Sequence, residues 1–179
     1  MRFTLFTLAN WTASIANLFL APLVVIFASE LGWLPRWLWW FQTPDNPLDG
    51  DDGWAEHRPY RDEDAYWKQY VNRVFWLYRN SMYGLSEDVL GFTVEPGFTY
   101  TCEGDEMVSN HPLVNGLVRR SLTSGGTTYW QWYYVKAWSA TRCLRINLGW
   151  KLWSGKQVGD KVSIVFSVNP FMGYSKGSK

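Results

Sequence analysis

From Phe3 to Ser29 the chain reads "FTLFTLANWTASIANLFLAPLVVIFAS" without one charged residue. Its 27 residues would rise ~40 Å as a helix, enough to cross a hydrocarbon core with some tilt. Apolar density peaks from Ile15 to Ala28, while Asn10, Thr12, Ser14 and Asn17 dilute the first half. Pro22 would kink this helix but is tolerable in a membrane span. A retained anchor competes with a cleaved signal peptide. The run is long for a signal, and Ala28-Ser29-Glu30 matches an A-x-A cleavage site poorly, which favours the anchor. Directly beyond, "ELGWLPRWLWWF" brings Trp33, Trp37, Trp39 and Trp40 together with Arg36. Tryptophan prefers headgroup depth and arginine snorkels there, so these residues form the expected membrane-interface group. Arg2 and the α-amino group favour a single-pass topology with the N-terminus inside.

The pattern then changes period. Asp62 to Tyr83 predicts an amphipathic helix, with acids in its first turn and Arg79 near its end. Trp67, Tyr70, Val71, Val74, Phe75, Leu77 and Tyr78 recur at three and four spacing, a stripe that needs a partner. After Gly84 come short runs cut by Gly, Pro and Asn, which predict strands at 92–94, 98–102, 117–122, 127–138, 142–152 and 161–168. The clearest alternation sets Leu144, Ile146, Leu148, Trp150 and Leu152 against Arg145, Asn147 and Lys151. A hairpin turning at Ala140-Thr141 would put Val135 and Ala137 on the Leu144 and Ile146 face. Trp130, Trp132, Tyr134, Lys136, Trp138, Arg145 and Lys151 would share the other, an aromatic and cationic face able to stack on bases, sugars or lipid headgroups. The expected class is α+β: an N-terminal transmembrane helix, then an amphipathic helix packed on a small antiparallel sheet.

Charge sharpens the division. The net charge of +1 conceals fourteen acids and five bases over residues 45–110, net −9, against ten bases and one acid over residues 111–179, net +9. The halves either neutralise each other or the basic one faces an anionic surface. The 13 Trp, 10 Tyr and 10 Phe suit cores, membrane interfaces and binding surfaces alike. Cys102 and Cys143 show no metal-ligand spacing with His57 or His111, and would pair as a disulfide only outside the cytoplasm.

Chemistry finds little support. In "QTPDNPLDGDDG", an EF-hand count places Asp45, Asp49, Asp51 and, further on, Glu56 at ligand positions, but position 3 is Pro47, which offers no side-chain ligand. These four are the metal candidates, and no metal is assigned. The prolines and glycines read instead as a hinge. Gly173 to Gly177 matches G-x-S-x-G, but no helix can follow it. Glu103, Asp105, Glu106 and His111 crowd one polar loop, a composition that acid–base catalysis and an ordinary loop share. With no P-loop, Rossmann glycines or HExxH, the reading is a non-enzyme without cofactor.

The run "LGWLPRWLWWFQTPDNPLDGDDGW", Leu31 to Trp54, resembles an uncharacterised membrane-anchored protein family of tailed bacteriophages and prophages. The resemblance covers about 24 residues and implies origin, not chemistry. The expected organisation is an anchor with interfacial segment at 1–41, a hinge loop at 42–61, an α+β domain at 62–172 and a flexible basic tail at 173–179. The expected function is a phage-encoded interaction protein at the bacterial inner membrane, acting in envelope modification, superinfection exclusion or lysis. Its partners would be the lipid bilayer and another phage or host envelope protein, with nucleic acid ranked below. The alternatives are a virion component whose hydrophobic arm packs between subunits, and a glycan- or nucleic-acid-binding module using the aromatic face.

Overall fold

The computed structural model describes residues 2–174, and the chain divides into two compact units, Met1–Leu90 and Gly91–Lys179. Most of the expected 173–179 tail, with most of the G-x-S-x-G match, lies outside the described residues. The class is mixed α+β, with a long apolar helix first and a five-stranded antiparallel sheet later.

In the N-terminal unit, α1 spans Arg2–Val25 and contains Pro22. A 3₁₀ helix covers Arg36–Phe41, the short α2 Asp52–Ala55 and α3 Tyr66–Arg79, followed by a π-type turn at Leu85–Val89. Val24, Val25, Leu38, Leu48, Trp76 and Leu77 are central to its core. Within this unit the α3 stripe packs against α1. The stripe itself is rotated: Trp76 is buried, whereas Trp67 and Phe75 are about half exposed. Asp62 and Asp64 precede α3 instead of opening it, and both hold Lys68 Nζ, at 2.8 and 2.7 Å.

The 42–61 stretch, expected as a hinge, is folded. Leu48 is completely buried, and its N–H donates to the Gly32 carbonyl at 2.8 Å. Gln42 accepts from Leu34 N–H at 2.8 Å and donates to the Asn46 carbonyl at 3.0 Å. Gly50 sits at φ +81°, a left-handed turn in which any Cβ would strike the Trp54 ring. Apolar burial of one leucine and two polar tethers turn a breaker-rich loop into ordered structure.

In the C-terminal unit the sheet order is β2-β5-β6-β7-β9, all antiparallel. The strands are Thr99–Gly104, Gly116–Ser124, Thr127–Ala137, Arg142–Trp150 and Ile164–Gly173. Two small pairs join β1 (Phe92–Thr93) to β8 (Lys161–Val162) and β3 (Ser109–Asn110) to β4 (Leu113–Val114). β5 and β6 are linked by Gly125-Gly126, both at positive φ, as a two-residue hairpin turn requires.

The β6–β7 hairpin pairs Val135 with Arg145 and Ala137 with Cys143, one residue away from the expected register. A one-residue slip exchanges faces. Arg145 therefore joins Val135, Cys143 and Gln131 on the packed face. Trp130, Trp132, Tyr134 and Lys136 share the other face with Leu144, Ile146 and Leu148. Lys151 lies beyond β7 and outside this ladder. The reason is the turn, a five-residue loop at 138–142 closed by Trp138 N–H on the Arg142 carbonyl at 3.1 Å.

Candidate functional site

α1 is long and apolar enough to cross a membrane, and only 22% of its most apolar window is buried. Leu8, Ile15, Phe19 and Leu23 lie on its exposed side. A helix N-terminal in the chain with this composition is also the form a signal sequence takes.

The side facing α3 is polar where the backbone requires it. Pro22 has no N–H, so the Leu18 carbonyl four residues earlier loses its helical donor. The Tyr78 hydroxyl donates to that carbonyl at 3.0 Å. Helix ends also leave carbonyls without partners. The Tyr70 hydroxyl takes the Pro22 carbonyl at 2.8 Å, and the next three receive N–H groups from Ile26, Phe27 and Ala28. Asn17, fully buried, donates to the Leu77 carbonyl at 2.9 Å and to Ser81 Oγ at 3.0 Å. Beside these bonds an apolar groove of about 380 Å³ is lined by Trp11, Ile15, Leu18 and Tyr78, with Ser14 and Ser81.

Arg73 of α3 ties this helix pair to the acidic loop. Arg73 is 5% exposed, and its guanidinium grips both carboxylate oxygens of Asp49, at 2.6 and 2.9 Å. It also donates to the carbonyls of Ser29 and Glu30, at 3.2 and 2.9 Å, just past α1. Asp49 is thus an ion-pair partner of Arg73. Asp51 caps α2 by accepting from Trp54 N–H at 2.8 Å, and Asp45 and Glu56 are exposed. Two of the four metal candidates thus have separate partners, Asp49 in Arg73 and Asp51 in Trp54 N–H. Among the described residues no group of three acids, histidines or cysteines converges on a point.

Of the interface group, Trp33, Trp37 and Trp40 are exposed, as is Arg36, while Trp39 is half-buried. Trp37 meets Phe27 edge to face at 5.3 Å, and Trp39 meets Trp40 at 6.1 Å. The 3₁₀ helix buries Leu38 and Phe41 and turns the indoles outward.

In the C-terminal unit the crowded acids do separate work. Glu106 accepts from the Tyr100 hydroxyl and from Ser154 N–H, at 2.5 and 3.0 Å. The tyrosine bond holds the Glu106 carboxyl below its ordinary value, and burial with the same bond raises the Tyr100 hydroxyl. Asp105 accepts from Met107 N–H in a local turn, and Glu103 lies 3.9 Å from Arg119. Arg120, nearly buried, donates to the Gln131 side chain and to the Glu106 carbonyl, bracing the packed face. Both cysteines are free, and burial pushes the Cys143 thiol up. Cys102 on β2 and Cys143 on β7 are separated by β5 and β6 in the sheet.

Reading by residue type missed Arg73, Tyr70 and Tyr78. Signals were present: an arginine within an apolar helix stripe, and two tyrosines eight residues apart facing a proline-bearing helix.

A clasped pair of helices with a lipophilic outer side, followed by an antiparallel sheet with a buried polar brace, defines a two-unit α+β protein with an N-terminal span-length helix. Its chain belongs to the family of unknown function DUF7338, whose model matches residues 1–176. No curated protein and no solved structure matches the chain.

Proposed function

We propose that the protein is a membrane-anchored, non-enzymatic interaction protein, held in the bilayer by α1 with the indoles of Trp33, Trp37 and Trp40 at headgroup depth. One observation carries this reading. α1 leaves most of its apolar surface exposed, while α3 and the turn after α1 satisfy the carbonyls exposed by Pro22 and by the helix end. A soluble core helix would bury that surface, and a lipid-facing helix must have its backbone polar groups paired. The bonds from Tyr70 and Tyr78 also support retention, since cleavage after α1 would strip both hydroxyls of their acceptors.

The proposed address is the bacterial inner membrane, in keeping with the bacteriophage or prophage origin that the Leu31 to Trp54 resemblance implies. Envelope modification, superinfection exclusion or a lysis-related step are the roles in keeping with that address. Fractionation of expressing cells with alkaline extraction is the test. The chain is expected in the extracted membrane pellet with its N-terminal residues intact. A fully soluble, monodisperse product overturns the reading. Stoichiometric recovery in purified particles would favour the virion alternative, in which the same apolar side of α1 packs between subunits.

A further inference from the structure

We propose that the exposed face of the five-stranded sheet is a second lipid-contact surface, which docks on anionic headgroups. The inference stands on the sheet's own geometry and does not require α1 to span the bilayer.

Strand register places Leu117, Trp132 and Val168 on one face, at 42%, 50% and 54% exposure. At the β6–β7 turn, Trp138 and Phe171 meet edge to face at 6.0 Å, with exposures of 57% and 67%. Exposed apolar side chains gathered on one face with a polar rim commonly mark a contact surface. Its charges are one-sided. The Arg119 guanidinium lies 5.5 Å from the Trp132 ring centre, and Lys136 is exposed on the same side. Arg142 at the turn donates to the Phe171 carbonyl at 3.1 Å. Among the described ladder residues of this face the one carboxylate is Glu103, on the edge strand.

Charge selects the occupant. Five strands ~4.8 Å apart and ~30 Å long give a footprint of roughly 600 Å², short of the roughly 800 Å² per partner of a standard interface. Stacking two copies would also bring Arg119 and Lys136 of each into a desolvated layer poor in acids, which costs more than it returns. An anionic bilayer supplies phosphates to these cations, headgroup depth to Trp132 and Trp138, and acyl chain to Phe171 and Val168.

The test uses the full chain in vesicles of phosphatidylcholine, alone or mixed with phosphatidylglycerol. An environment-sensitive fluorophore is placed at Val168→Cys in a Cys102→Ser background, Cys143 being fully buried. A control label at Ser167→Cys reports the opposite face. The Val168 label is expected to shift to the blue and to be quenched by brominated acyl chains in the mixed vesicles, with the Ser167 label unchanged. Each basic side chain near an anionic surface contributes roughly five-fold, so Arg119→Gln with Lys136→Gln should weaken docking about thirty-fold.

A water-exposed Val168 label in mixed vesicles overturns the proposal, as does equal quenching at both sites. Energy transfer between copies that dilution in lipid does not remove assigns the face to a second copy instead. Protection of the label by a single-stranded oligonucleotide in place of lipid assigns it to nucleic acid. Alkaline extraction of the same samples reports α1 separately, so loss of this contact and loss of the anchor are told apart.

Discussion

Asn17 and Gln131 are buried amides, one in each unit, and they are satisfied differently. Gln131 accepts from Arg120 and from Leu152 N–H and donates to Asn147, so both ends of its amide are used. Asn17 donates twice, but its Oδ1 has no partner. In the sheet unit Gln131 links Arg120, Leu152 and Asn147 into one connected polar network. The helical unit instead places single polar groups where the backbone of a neighbouring helix lacks a partner. Such isolated bonds suit helices that associate in a medium where apolar surface alone provides no drive. The two units thus look alike in exposing aromatics, but are stabilised by different means.

Substitutions can break that contrast, beginning with the acidic loop. Leu48→Ala should cost about 2–5 kcal/mol, the usual range for a fully buried leucine, read as a lower melting temperature of the detergent-solubilised chain. A hinge would show no change. Arg73→Ala should follow at about 3 kcal/mol, because it strands Asp49 and two carbonyls at once.

A smaller effect sharpens the comparison further. Tyr78→Phe should cost about 1 kcal/mol in the native background by orphaning the Leu18 carbonyl. In Pro22→Ala the restored N–H at residue 22 takes that carbonyl, and the same tyrosine change should cost little. Additive costs in the double-mutant cycle would refute the assignment.

The C-terminal unit should respond to acid. The folded Glu106 lies below its ordinary pKa, so its contribution is present above the ordinary carboxylate range of about 4.3 and is lost as pH falls through the lowered value. Tyr100→Phe removes the bond that causes the shift and should flatten the acid limb of the unfolding curve. The smallest effect is expected at Lys68→Gln, whose pairs with Asp62 and Asp64 lie in solvent and should vanish into the noise at high salt.

Much of the architecture was legible in the amino-acid order. The uncharged run from Phe3 to Ser29, the helix around Tyr70 and the main strands follow from periods of 3.6 and 2, which are local properties. The α+β class and the indole cluster after α1 follow with them. The candidate surfaces were legible only in part. Trp132 and Lys136 do share a face, yet Arg145 does not, because one residue in a turn decides which side chains look inward. Asp49 read as a ligand candidate because its neighbours are acids, and it became an ion-pair partner because Arg73 arrives from 24 residues away. The fate of the carbonyl freed by Pro22 was equally nonlocal, since Tyr78 supplies its donor across 60 residues. Residue order therefore specified the elements and their apolar content, whereas register, ion pairing and backbone satisfaction waited on which distant segments came together. Those contacts depend on chain closure and packing, and no local period encodes them.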